Sequence, residues 1–100
     1  MLNQLVCVGR ITKMEGNNDS CYLTIAIPRP FKNEEGIYDT DFITCELKNQ
    51  IAKTTLEYCK KGDIVGVKGR LESEKEDSTK MIVVCEKLTF LSSKKEDSEE

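Results

Sequence analysis

Only one stretch of this 100-residue chain repeats its apolar side chains at helical spacing, and it is flanked by five short runs patterned as β-strands. From Gln50 to Lys61, the residues Ala52, Leu56 and Cys59 recur at that spacing. Asn49 stands where an N-cap is expected and Gly62 where C′ falls. Lys60 and Lys61 suit the negative end of the helix dipole. The element order is therefore βββαββ without internal repeat, and at roughly 100 to 200 residues per domain the length allows one domain.

The first β-like run, Asn3 to Lys13, is apolar on both parities at Leu5, Val6, Cys7 and Val8, the pattern of a strand covered on both faces, with a subunit contact on one of them. After the turn-rich EGNND, the run Cys21 to Ile27 alternates: Leu23, Ile25 and Ile27 face one way, Tyr22, Thr24 and Ala26 the other. Pro28 and Pro30 are expected to end that strand and open a connector, RPFKNEEG, carrying Arg29, Phe31 and Lys32. In the third run, Ile37 to Lys48, Ile43, Cys45 and Leu47 share the core face, and Tyr38, Phe42 and Lys48 share the other. DIVGVKGRL then places Val65, Val67 and Leu71 inward and Lys68 and Arg70 outward, and KMIVVCEKLTFL makes a fifth strand. Gly9, Gly66 and Gly69 interrupt strands that must curl, and Tyr58 and Phe90 are expected in the core.

Ser92 to Glu100, SSKKEDSEE, has no apolar side chain with which to offset its ordering entropy, so it is expected to be a disordered acidic tail behind a folded unit of residues 1–91. Its two lysines against four acids leave the folded part with a net charge of only −1, so an anion-binding face must be a local basic patch. No run approaches the ~18 apolar residues of a spanning helix, and the N-terminus lacks a basic region and cleavage site, so no membrane is expected and the chain reads as cytoplasmic. The five cysteines form no C-x-x-C pair and histidine is absent, which argues for reduced, buried thiols and against a metal site. The missing histidine also removes the commonest general base; neither enzymatic chemistry nor a cofactor is expected.

Five strands with one helix between the third and fourth is the layout of the OB-fold, a five-stranded Greek-key barrel. The local sequence is more specific. The opening MLNQ, the RPF of the hairpin arm, DFI-x-C on the third strand and KKG-x-x-V-x-V-x-GR-L around the fourth occur in that order about a single helix. With them, residues 1 to about 91 resemble the bacterial and phage single-stranded DNA-binding protein family. The resemblance implies a non-catalytic protein that coats single-stranded DNA in replication, recombination or repair, in the cytoplasm with the nucleoid, usually as a homotetramer, with a dimer as the alternative.

Sequence-independent capture of a single strand needs aromatic faces on which any base stacks and cations that follow the phosphates. Phe42 matches a position where the family commonly stacks a base; its competing role is packing under a loop or at a subunit contact. Phe31, between Arg29 and Lys32, matches a region of DNA contact, against a role as a plug anchoring the arm. Tyr22 and Tyr38 both face outward, where strand propensity alone accounts for tyrosine. The expected DNA-binding set is Phe31, Tyr38 and Phe42 with the cations Arg10, Lys13, Arg29, Lys32, Lys48, Lys68 and Arg70.

The chain departs from the family in several places. Lys48 stands where many members carry an aromatic, the loop ESEKEDSTK is acidic where relatives tend to be basic, and tryptophan is absent. The tail keeps acidity but no apolar tip, so recruitment of replication or repair enzymes through it is not expected. Two other functions stay open: an OB-fold protein-interaction subunit of a replication or mobile-element complex with weak DNA affinity, which the acidic loop favours, and an RNA-binding OB domain.

Overall fold

The structure is a computed structural model and describes residues 1–93. Its elements are β1 (Leu5–Gly16), β2 (Ser20–Lys32), β3 (Tyr38–Lys48), α1 (Asn49–Tyr58), β4 (Ile64–Ser73) and β5 (Met81–Ser92). The strands close a barrel in the order β1, β2, β3, β5, β4, antiparallel except between β3 and β5. This is the βββαββ order and the five-stranded OB barrel that the sequence patterning led to.

The interior is filled by alternate residues of each strand: Ile11, Leu23 and Ile25, Cys45 and Leu47, Val65 and Val67, all essentially without solvent contact. Each such aliphatic contributes roughly 1.5–3 kcal/mol by leaving water. α1 packs against β2, β3 and β5 through Ala52 and Thr55, and Cys59 just beyond it joins the same core. Two side chains tie β1 and the segment before it to β4 and the turn that leads into it. Asn3 of MLNQ donates from its side chain to the Leu71 carbonyl at 2.9 Å and accepts the Leu71 N–H at 2.9 Å. Arg10 donates to the Gly62 carbonyl at 2.7 Å.

Two backbone irregularities shape the outer surface. β1 pairs Arg10 with Ala26 and Ile11 with Ile25, then Lys13 with Thr24, leaving Thr12 as an extra residue. This bulge turns Lys13 outward, although Ile11, two residues earlier, points into the core. In β4 a second register shift falls between Lys68 and Gly69, and a Cβ at Gly69 would overlap the Val84 carbonyl oxygen. Gly66 meets no such crowding, whereas a Cβ at Gly9 would come within 2.8 Å of the Ala26 carbonyl oxygen, so of these three glycines Gly9 and Gly69 stand at close approaches.

Several local expectations are corrected. Pro28 and Pro30 do not end β2, which continues to Lys32 and pairs Pro28 with Thr40 and Lys32 with Tyr38. β1 pairs β2 only as far as Ala26, so the prolines lie where one edge of β2 is free and a missing N–H breaks no ladder. The hairpin tip is instead set by Asn33, whose Oδ1 accepts the N–H groups of Glu35 and Ile37.

Asn49 is not an N-cap. β3 runs straight into α1, and Asn49 makes the corner at φ +56, a conformation asparagine tolerates, while its N–H donates to Asp19 O at 2.9 Å. The helix stops at Tyr58, short of Lys60 and Lys61. Those lysines lie in a turn in which Asp63 accepts the Lys60 N–H at 2.9 Å, and Gly62, at φ +97, serves that turn.

Tyr58 is 74% exposed, because Ala52, Thr55 and Cys59 already cover the core. Phe90 is half exposed at the mouth of a shallow groove between α1 and β5. Leu71 is also partly exposed, since β1 pairs β4 no further than Gly69. Ser92 belongs to β5, opposite Ile64, and residues 94–100 of the expected tail lie outside the described residues.

Candidate nucleic-acid interface

Residues directly opposite one another in a sheet share a face, with Cβ atoms about 4.5–5.5 Å apart, so the register sorts the barrel surface into rows. On the outer face of β1, β2 and β3 one row is Arg10, Ala26, Phe42. The next is Lys13, Thr24, Thr44, and then come Glu15, Tyr22, Glu46 and the pair Ser20, Lys48. Toward the hairpin tip the face continues through Thr40 to the pair Lys32, Tyr38. Phe42 is 65% exposed, with the small Ala26 beside it leaving its ring face open. Six of the ten expected residues, Arg10, Lys13, Lys32, Tyr38, Phe42 and Lys48, are thus brought to one continuous face.

Arg29, Phe31 and Lys68 stand apart from it, and Arg70 joins the row of Glu15, Tyr22 and Glu46 only across β5. Arg29 reaches Asp41, which has the parity of the inward Ile43 and Cys45, so it lies on the opposite side of the arm from Phe42. Phe31 is exposed on the arm where the β2–β3 register is irregular. Lys68 lies across the barrel in a row with Val6 and Lys87. Arg70 faces Val84, whose neighbour on β3 is Glu46.

Most of the cations are already engaged. Lys13 pairs with Glu15 at 3.2 Å and Lys48 with Glu46 at 3.8 Å. Arg70 holds Glu72 at 2.6 Å and Glu86 at 2.9 Å. Arg29 makes a two-pronged pair with Asp41 and lies 3.9 Å from Asp39, and the hydrogen bond from Arg29 holds the Asp41 carboxyl below the usual carboxylate range. Lys32 sits 5.8 Å from the centre of the Tyr38 ring, a cation–π contact. Lys68 has no carboxylate partner among the described residues. Exposed pairs of this kind contribute little to stability, so a phosphate can compete for the same cations.

Between the outer face and the β4–β5 loop runs a groove of about 680 Å³. Lys13, Lys48 and Lys75 line it, against Glu15, Glu46, Glu72, Glu74 and Glu76, with Tyr22 on the floor. The acidic loop of the sequence therefore overhangs the expected DNA face. Tyr22, outward by simple alternation, belongs to this face but lay outside the expected set; only the register across three strands puts it beside Lys13 and Lys48. The glutamates of the first and third strands could not be assigned to the same groove without the bulge at Thr12.

Residues 2–91 match the model of the single-strand binding protein family. The chain is similar to single-stranded DNA-binding protein B of Bacillus subtilis, 37% identical over 79 residues that cover 73% of this chain and 70% of that protein. It is also similar to single-stranded DNA-binding protein 1 of Clostridium acetobutylicum, 34% identical over 95% of this chain and 98% of that one. In fold it resembles a Plasmodium falciparum SSB solved in complex with ssDNA, with a TM-score of 0.74, 19% identity and coverage of 92% of this chain and 96% of that chain. With the motifs, the closed barrel and the family match spanning nearly all of the described residues, the chain belongs to the single-strand binding protein family.

Proposed function

We propose that this chain binds single-stranded DNA without sequence preference and shields it during replication, recombination or repair. The observation that carries the reading is Phe42, an exposed ring on the β3 side of a three-strand face, in one row with Arg10 and one row from Lys13. A base stacked on such a ring gains roughly 1–3 kcal/mol, and the neighbouring cations take up phosphate. Tyr38 with Lys32 extends the same track along the arm. Arg29, Phe31, Lys68 and Arg70 contribute only if the strand wraps beyond that face. The names of the relatives support the same reading, and it requires no catalytic residue. The working form is a homo-oligomer, a tetramer or failing that a dimer, assembled through the exposed Val6 and Val8 of β1; its place is the cytoplasm, with the nucleoid.

Anisotropy of a labelled oligo-dT, against duplex DNA and oligo-U across a salt series, tests this. Tight binding to oligo-dT, weak binding to duplex, and a log–log salt slope of about −0.7 per neutralised phosphate are expected. Equal affinity for duplex, or no salt dependence, would overturn it, and preference for oligo-U would favour an RNA-binding domain. A second reading, a protein-interaction subunit with weak DNA affinity, draws on the excess of glutamate over lysine in the groove and is favoured if no oligonucleotide binds.

A further inference from the structure

We propose that Tyr22 is a second base-stacking platform, engaged by the strand when the negative charge of the β4–β5 loop is screened. The inference rests on the single-stranded DNA reading and adds to it a site and a condition. Tyr22 is the third residue of β2 and keeps 44% of its surface exposed, although its neighbours Cys21 and Leu23 are fully buried. Its row neighbour on β3, Glu46, is four residues from Phe42 on the same face, which at ~3.3 Å per residue places the two rings roughly 14 Å apart. Between them stand only Thr24 and Thr44, side chains too short to block a base lying flat. One exposed ring thus leads to the next along an unobstructed floor.

The approach to Tyr22 differs from the approach to Phe42. Tyr22 lines the groove beneath the loop, where five glutamates face three lysines, whereas Phe42 stands outside that lining. A phosphate entering the groove meets net repulsion at low salt. Because the groove is open to solvent, that repulsion acts over a Debye length of ~30 Å at 0.01 M salt and only ~3 Å at 1 M, while stacking itself is hardly screened. Added salt therefore weakens the cationic contacts along the face and at the same time admits the strand to Tyr22.

The test uses the full chain and an oligo-dT carrying 5-iododeoxyuridine, photocrosslinked at low and at high salt, with adducts mapped by mass spectrometry. Adducts at Phe42 under both conditions and at Tyr22 chiefly at high salt are expected, and the double variant Glu74→Gln, Glu76→Gln should bring the Tyr22 adduct to low salt. In parallel, Tyr22→Ala should weaken binding about five-fold to a hundred-fold at high salt and less at low salt, with Tyr22→Phe close to the parent. Adducts at Phe42 alone under every condition, or unchanged high-salt affinity in folded Tyr22→Ala, overturn the proposal while leaving the DNA reading intact. A parent chain that captures no oligo-dT at either salt overturns both.

Discussion

Arg29 grips Asp41 with two guanidinium nitrogens, Nε at 3.1 Å and Nη2 at 2.9 Å, on the side of the hairpin arm turned away from Phe42. The pair is exposed, and its hydrogen bonds keep the Asp41 carboxyl ionised below the ordinary carboxylate range. The sign follows: whatever the pair contributes is present above the ordinary aspartate pKa and is lost as pH falls through the lowered one. Asp41→Asn removes this pair at neutral pH and leaves the guanidinium only its 3.9 Å contact with Asp39. If the strand wraps the arm, oligo-dT affinity at low salt should rise and the salt slope steepen by about 0.7, as titrated by anisotropy. An unchanged slope would keep Arg29 off the DNA path.

Phe42→Ala removes the exposed ring in the row with Arg10. Because Phe42 is mostly solvated, the thermal midpoint should move little, while oligo-dT binding should weaken by roughly 1–3 kcal/mol. Calorimetry and anisotropy on the same preparation check both halves.

Lys48 and the loop glutamates line one groove, yet they should respond differently to salt. Lys48→Trp exchanges a screened charge, already paired with Glu46, for a stacking surface, so affinity should rise most visibly at high salt. Glu74→Lys with Glu76→Lys acts through the phosphate field and should tighten binding mainly at low salt. Charge reversals without effect at low salt would put the loop outside the DNA path and favour a protein partner for it.

Burial pushes the Cys45 thiol up from 9.0 to about 12, helped by nearby Cys85 and Cys7, and burial pushes Cys85 up to about 11. The folded chain therefore holds protons that the unfolded chain releases above pH ~9, so stability should decline progressively as pH rises from 9 toward 11. At about 1.4 kcal/mol per pKa unit the loss amounts to a few kcal/mol. Urea unfolding across that range checks it, and Cys45→Ala, although less stable near neutrality, should show a flatter profile.

Val6 is 70% exposed and Val8 about half exposed on the outer face of β1. Val6→Lys with Val8→Lys leaves the core side of the strand untouched. Light scattering should report smaller species than the parent at equal concentration, and a parent that is already monomeric at micromolar concentration would remove the oligomer from the proposed function.

Strand patterning made the core legible because period-two alternation and burial have one cause: Leu23, Ile25, Cys45, Leu47, Val65 and Val67 all fall where parity puts them. What parity could not carry was anything that depends on a partner strand. The extra residue Thr12 reverses which side chains of β1 face out, and only the pairing with Thr24 reveals it. The prolines of β2 look like terminators until the free edge beside them is known. Tyr58 and Phe90 read as core residues because they end a helix and a strand, but smaller residues fill that space. Of the interface, Phe42 and its cations are visible as residue types, and Glu15, Glu46 and Glu72 each hold a cation two residues away on the same strand, whereas the approach of the acidic β4–β5 loop to Lys13 and Lys48 depends on the tertiary fold.

The ring of strands is sealed between β3 and β5 by two register pairs, Cys45 with Val83 and Glu46 with Val84, in the parallel sense. The β2–β3 and β4–β5 pairings join strands consecutive in the chain, so they can form early, whereas this seam must bring together segments separated by α1 and all of β4. Loop-closure entropy is met before the contact returns any free energy, and parallel pairing is the weaker kind per residue. The seam and the β1–β4 pairing are then the contacts that form late, and the seam, with two register pairs against six, is the first to part. Its opening would leave an uncurled sheet with two bare edges, able to exchange strands with another copy. Amide hydrogens along Glu46 and Val84 should therefore exchange before those in the middle of β2, and refolding should be timed by closure of the ring rather than by either hairpin.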